Sequence, residues 1–308
     1  MQSNVCQGVV ISSTGSWYEV AVGAERIRCR IRGRLRLKGV RSTNPVVVGD
    51  VVECHADEQG DWVITDIAPR RNYVIRRASN LSKESHIIAA NVDRALLMVT
   101  LFSPVTAREF VDRFLVTCEA YKVPVTIVLS KADLLSEAPD EVSDFEHTYR
   151  RAGYDIIRVS GATGEGVGTV RALLRGHTTL LSGNSGVGKS TLIGSLLPDA
   201  EVRTGEISDS HGKGRHTTTF STMYPIDEGY IIDTPGIKGF GLIDIDDAEL
   251  CRYFPEMMRL APECRFYNCT HTHEPGCAVR DAVERGEVAW SRYESYLKIL
   301  DEDEKYRK

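Results

Sequence analysis

No run of apolar residues in this 308-residue sequence approaches the roughly 20 that a helix needs to cross a bilayer, which excludes a helical membrane span. The opening MQSNVCQGVV has neither the basic start nor the apolar middle of a secretory leader, so a cytoplasmic protein is the expectation. Internal repeats and low-complexity tracts are missing too, which excludes a repeat-built or tail-like organisation. What remains is 42% hydrophobic and 26% charged residues, the composition of a globular chain, at a length that suggests two or three domains. The net charge of −5 hides an asymmetry: Glu25 to Arg41 holds eight basic residues against one acidic, or +7, leaving −12 elsewhere. Five of the eight cysteines (Cys6, Cys29, Cys54, Cys118 and Cys251) are scattered, as small buried hydrophobes are, whereas Cys264, Cys269 and Cys277 fall within fourteen residues.

Five short β-like runs lie near Val5 to Ile11, Trp17 to Val22, Ile27 to Leu37, Val46 to Cys54 and Trp62 to Ile67, separated by Gly, Ser, Asn and Pro. They predict a small barrel of the oligonucleotide-binding (OB) type; an SH3-like barrel has a similar pattern. A polar connection at Arg76 to Glu84 leads to apolar strands alternating with helical stretches, the pattern of an α/β domain with a largely parallel sheet. Beyond Asp246, helical segments at Asp247 to Leu260 and Ala278 to Leu300 flank a Cys and His cluster. The expected units are 1–72 (OB-fold, RNA-binding), 73–245 (nucleotide-binding α/β) and 246–308 (mostly helical, zinc-binding).

Gly183-Asn184-Ser185-Gly186-Val187-Gly188-Lys189-Ser190, followed by Thr191, comes after an apolar strand and before a helical stretch, the context of a phosphate loop. Its glycines let backbone amides turn toward phosphate oxygens at a helix N-terminus; Lys189 would neutralise the β- and γ-phosphates and Ser190 would ligate Mg²⁺. Some fifty residues on, Tyr230 to Gly236 forms a second apolar strand ending in Asp233-Thr234-Pro235-Gly236. There Asp233 can hold Mg²⁺ through water and the Gly236 amide can reach a γ-phosphate. The polar segment Gly205 to Thr219 between them is the expected switch, with Thr217 or Thr218 completing the Mg²⁺ shell.

Ser130-Lys131-Ala132-Asp133 at the end of the strand Val123 to Leu129 chooses the base, because one carboxylate can accept from both N1–H and the exocyclic amine of guanine. The usual first residue of this motif is Asn, and a serine hydroxyl makes fewer bonds. Ser160-Gly161-Ala162 is a second base-facing element. Both precede the phosphate loop, so the motifs run in circularly permuted order. Cys264-x4-Cys269-x-His271-x5-Cys277 offers three thiolates and an imidazole, a tetrahedral set for one structural Zn²⁺, with His273 a competitor for His271. Finally, Arg26, Arg28, Arg30, Arg32, Arg34, Arg36 and Lys38 occupy every second position, which in an extended chain sends the cations to one face. Such a face is a track for a phosphate backbone, or a solvated edge guarded by charge.

GNSGVGKST (183–191), GRHTTT (214–219), DTPG (233–236), CTHTHEPGC (269–277) and RYESYLKIL (292–300) together resemble the small-ribosomal-subunit-dependent GTPase A (RsgA) family over essentially the whole chain. The resemblance implies an OB barrel, a permuted P-loop GTPase domain and a zinc domain acting in late maturation of the 30S subunit. GTP hydrolysis would be stimulated by the subunit and release the factor; the implied partners are 30S, 16S rRNA and GTP/GDP, and a monomer is assumed. Ile237 stands where many GTPases carry a water-orienting glutamine, so His216 is the expected catalytic group, as the resemblance also indicates. Alternatives are a GTP-binding RNA module without turnover, an ATP-dependent enzyme, or a translation-type GTPase on mature ribosomes.

Overall fold

A computed structural model of the chain describes residues 5–31, 45–57, 60–77, 85–198, 221–234 and 247–306. The first five strands, β1 (Val5–Ser13), β2 (Trp17–Val22), β3 (Glu25–Ile31), β4 (Val51–Ala56) and β5 (Trp62–Ile67), close into a barrel. β1, β2 and β3 form an antiparallel meander, β3 lies parallel to β5, and β4 pairs antiparallel with both β5 and β1. This closed order is the OB arrangement. Alternate side chains enter the barrel, so Val10, Val20, Cys29, Val52, Cys54 and Ile64 form its core.

The fourth strand starts at Val51, five residues later than expected. Val46 to Val48 are as apolar as a strand, but the chain turns at Gly49, whose φ is +90°. A side chain there would put its Cβ 2.1 Å from the Ala90 carbonyl oxygen, a contact only glycine avoids. Val46 therefore packs in the barrel core, while Val47 and Val48 pack against elements beyond it. The expected polar connection is in part a hairpin, β6 (Tyr73–Arg77) with β7 (Ser85–Ala90).

β8 (Arg94–Val99), α1 (Arg108–Ala120), β9 (Val125–Ser130), α2 (Pro139–Ala152), β10 (Asp155–Val159), α3 (Val167–Leu174), β11 (Thr178–Gly183), α4 (Lys189–Leu196), β12 (Thr222–Ile226) and β13 (Gly229–Asp233) build the α/β unit. The sheet order is β10-β9-β8-β11-β13-β12, parallel except for β12 at its edge. Period two divides each strand between two layers: Leu97 and Val99 face α1 and α2, whereas Leu96 and Met98 face α3 and α4. Burial on both faces explains why these strands are continuously apolar. β12 also meets β1, with Thr222 opposite Ser12, so barrel and sheet are hydrogen-bonded into one surface.

The C-terminal unit holds α5 (Asp247–Leu250), α6 (Pro255–Leu260), α7 (Ala278–Glu284) and α8 (Trp290–Tyr306). The two long helices expected from sequence are each broken. Pro255 cannot continue a helix and opens α6 instead, and Gly286, at φ +69°, separates α7 from α8. Leu250, Phe254, Met257, Val279, Tyr293 and Tyr296 form a core that also takes in Val116 of α1. Among the described residues no helix is long and apolar enough to cross a membrane.

Candidate nucleotide site and metal cluster

Five parallel strands, β8, β9, β10, β11 and β13, end along one edge of the sheet, and the segments that follow β9, β10 and β11 meet there. β11 ends at Gly183, beside Met98 of β8; Met98 in turn stands beside Val128 of β9, two residues before Ser130. The loop from Gly183 to Gly188 is held from below by Val187, which is fully buried among the α3–α4 layer. Lys189 opens α4, and its Nζ donates to the carbonyl oxygens of Gly183 (2.7 Å) and Asn184 (3.0 Å). Ser185, Gly186, Ser190 and Thr191 are exposed at the rim.

The two elements read as base-facing flank this loop. A Cβ on Gly188, whose φ is +104°, would lie 3.1 Å from Ser130 Oγ, so the buried serine hydroxyl sits directly against the phosphate loop. Lys131 adopts a left-handed conformation (φ 58°, ψ 47°), and its ammonium donates to the Ser103 carbonyl. The neighbouring Pro104 backs Gly186. Asp133 is exposed in the 3-10 turn Ala132–Glu137. On the other side, Gly161 packs against Thr191, and Ser195 of α4 donates to the Gly161 carbonyl at 3.3 Å. Ser160 closes its own turn by accepting from the Thr163 amide at 3.2 Å, which orients Ala162 and the rest of the segment. The inverted chain order thus brings 130–133, 160–162 and 183–191 to one edge.

Asp233, the last residue of β13, lies beside Leu181 of β11. Its Oδ1 is buried with no hydrogen-bond partner, and burial pushes the carboxyl up to about 6 against the opposing pull of the Lys189 charge. A buried carboxylate oxygen left unpaired is unfavourable unless a cation or its water shell satisfies it, so Asp233 fits a Mg²⁺ site. The adjacent Thr234 fixes the strand end by donating to the Leu181 carbonyl at 3.1 Å. Gly236, the segment Gly205 to Thr219 with His216, Thr217 and Thr218, and the cations Arg32, Arg34, Arg36 and Lys38 lie outside the described residues.

The ligand atoms of Cys264, Cys269, His271 and Cys277 all lie within 4.8 Å of one another. His271 Nδ1 is 3.6 Å from Cys264 Sγ and 3.4 Å from Cys277 Sγ, while His273 stands outside, its Nδ1 paired with Thr272 Oγ1. Burial and the neighbouring Cys277 push the Cys269 thiol up to about 12. Three sulfurs and one ring nitrogen at these separations suit a tetrahedral ion of the zinc type. Glu274, which sequence reasoning overlooked, ties the loop: its carboxylate accepts from Thr270 N (2.7 Å), Thr270 Oγ1 (2.6 Å), Thr272 N (3.1 Å) and His273 N (3.2 Å). Burial alone would raise this group, yet the bonds from Thr270, from its own backbone amide and from the His273 amide pull it down to about 2. Tyr293 and Tyr296 of α8 donate to the carbonyls of His271 (2.6 Å) and Thr270 (2.8 Å).

In the described half of the basic stripe, Arg26, Arg28 and Arg30 alternate with Ile27, Cys29 and Ile31, and the apolar set faces the barrel core. Arg26 is near Glu19 (3.7 Å), Arg30 pairs with Asp57 and Asp61 (3.1 Å each), and the Arg28 guanidinium lies 4.3 Å from the Trp17 ring centroid.

A phosphate loop after β11, with candidate base-reading segments after β9 and β10 earlier in the chain, defines a P-loop nucleotide-binding protein of circularly permuted order. The chain belongs to the RsgA GTPase family: the RsgA GTPase model matches residues 67–243 and the RsgA N-terminal domain model residues 7–64. It is 52% identical over 306 residues to a Bacteroides fragilis protein named Small ribosomal subunit biogenesis GTPase RsgA, covering 98% of this chain and 99% of that relative. A Porphyromonas gingivalis protein of the same name is 52% identical, with 97% and 98% covered. Among solved structures, YjeQ from Thermotoga maritima aligns at a TM-score of 0.76 and 34% identity over 97% of this chain and 98% of that one. YloQ, described as a circularly permuted GTPase, aligns at 0.72 and 26% over 99% and 96%.

Proposed function

We propose that this chain is a GTP hydrolase that binds the 30S ribosomal subunit and acts late in its maturation, with hydrolysis stimulated by the subunit and followed by release. Relatives named for small-subunit biogenesis over their full length support the biological setting. The observation that carries the chemistry is the meeting of Ser130, Gly161 and the Gly183–Thr191 loop at one sheet edge. Asp133 reads guanine, Lys131 and the 160–162 segment frame the base, and the loop amides with Lys189 hold the phosphates. Ser190, Asp233 and Thr217 hold Mg²⁺, which offsets phosphate charge; Thr218 and Gly236 belong to the switch around it. His216 orients the attacking water, in the role Ile237 cannot fill.

Cys264, Cys269, His271 and Cys277 hold one structural zinc. Residues 1–72 form the RNA-binding unit, which meets 16S rRNA through Arg26 to Lys38; residues 73–245 form the GTPase and 246–308 the zinc unit. The protein works in the cytoplasm as a monomer. Phosphate release measured with and without 30S particles tests the proposal. Stimulation by 30S is expected, lost in Lys189→Ala and reduced at least about a hundredfold in His216→Ala under single turnover. An unchanged stimulated rate in His216→Ala removes the histidine from the mechanism; absence of any stimulation removes the 30S reading.

A further inference from the structure

The sequence scatters Cys6, Cys29 and Cys54, but the barrel gathers them. Cys29 Sγ lies 3.6 Å from Cys54 Sγ, and both residues are fully buried. Cys6 of β1 stands directly opposite Cys54 of β4 in the antiparallel ladder, within thiol hydrogen-bond reach of it, and is only half-buried. All three are free thiols, separate from the metal cluster.

The two possible bridges differ in geometry. Directly opposed residues of an antiparallel pair have Cα atoms about 4.5 to 5.5 Å apart, inside the roughly 4.4 to 6.8 Å that a disulfide spans. β3 and β4 are not neighbours, because β5 runs between them. Strands two apart are separated by about 9 to 10 Å in a flat sheet, and a curved barrel shortens this only in part. Cys29 and Cys54 therefore touch at their sulfurs while their backbones stand further apart than Cys6 and Cys54. Accessibility favours the same choice, since an oxidant in solution reaches Cys6 first.

We infer that the barrel carries an oxidation site in which Cys6 and Cys54 join as a cross-strand disulfide, with Cys29 left as the reduced thiol beneath them. Hydrogen peroxide is the oxidant. The Cys6 sulfur attacks the peroxide oxygen, the O–O bond breaks, and Cys6 becomes a sulfenic acid as one water leaves with a proton. Cys54 sulfur then attacks the Cys6 sulfur, the S–O bond breaks, and hydroxide leaves with the Cys54 proton as a second water. Two thiols lose two electrons and the peroxide gains them. Burial lifts Cys6 above the ordinary thiol value, which slows the first step, so peroxide in excess is the appropriate probe.

The test uses the reduced, zinc-loaded full chain exposed to hydrogen peroxide, then alkylated under denaturing conditions and mapped as peptides by mass spectrometry. The expected product is a Cys6–Cys54 linked peptide, reversed by dithiothreitol, with Cys29 recovered alkylated. Cys29→Ser retains the link, and both Cys6→Ser and Cys6→Ala lose it. A Cys29–Cys54 link overturns the assignment. So does Cys6 running on to sulfinic acid with Cys54 still free, or complete oxidation of Cys264, Cys269 and Cys277 while Cys6 and Cys54 stay reduced.

Discussion

The sheet is joined to its two neighbours by different chemistry. On the barrel side the hydrogen bonds of the seam run to backbone groups, with Ile11 and Val48 packed in behind them: Thr222 pairs with Ser12, the Ala90 amide donates to the Val48 carbonyl at 2.9 Å, and Asn91 Nδ2 reaches the Gly49 carbonyl at 2.9 Å. On the other side, side chains carry the seam, and charged ones at its centre. Arg292 of α8, 1% exposed, donates to Asp112 of α1 at 2.8 Å and to both oxygens of Glu256 of α6 at 2.7 and 3.2 Å. Tyr149 of α2 donates to the same Asp112 oxygen at 3.0 Å, and the guanidinium lies 4.6 Å from the Phe254 ring centroid. Burial opposes the Arg292 charge, and the two carboxylates more than restore it. A backbone seam tolerates many side chains but fixes the path of the chain. A buried ion cluster adds little net stability, yet one orientation alone satisfies it.

That contrast can be broken at the charged seam first. Arg292→Met leaves Asp112 and Glu256 buried without their cation and is expected to cost about 3–5 kcal/mol, read as a lowered denaturant midpoint. Adding Asp112→Leu and Glu256→Leu should restore most of it; no recovery would show that the cluster does more than neutralise itself. At the backbone seam, Gly49→Ala is expected to cost about 1–3 kcal/mol, because it imposes a left-handed conformation and a contact with the Ala90 carbonyl. Hydrogen exchange should show loosening confined to β1, β7 and the 46–50 turn, and uniform loosening of α8 as well would mean that the two seams are coupled. The smallest effect sharpens the distinction between buried and exposed charge: Lys298 pairs with Glu109 across the same α1–α8 contact but in solvent. Lys298→Ala is expected to leave the denaturation midpoint unchanged, and a measurable drop would contradict the reading of this pair as screened.

Much of this was legible because its signals are local. The barrel strands alternate at period two, the phosphate loop has its strand and helix beside it, and the candidate metal-binding cysteines and histidine fall within fourteen residues. What sequence reasoning missed depends on partners distant in the chain. Arg292 lies in a helix rich in charge and reads as solvated, because Asp112 stands 180 residues away. Val46 to Val48 read as strand because apolar residues are needed there, although the chain turns at Gly49 against Ala90. Pro104, which backs the phosphate loop, and Ser103, whose carbonyl holds Lys131, carry no motif, and three cysteines spaced through the barrel gave no hint of shared contact.

The rung between Ser12 and Thr222 has a mechanical meaning. Thr222 is the first residue of β12, so the edge strand that receives the chain after residue 220 is anchored to the barrel at its leading end. A displacement of Thr222 is therefore passed both to β13 in the sheet and to β1 in the barrel.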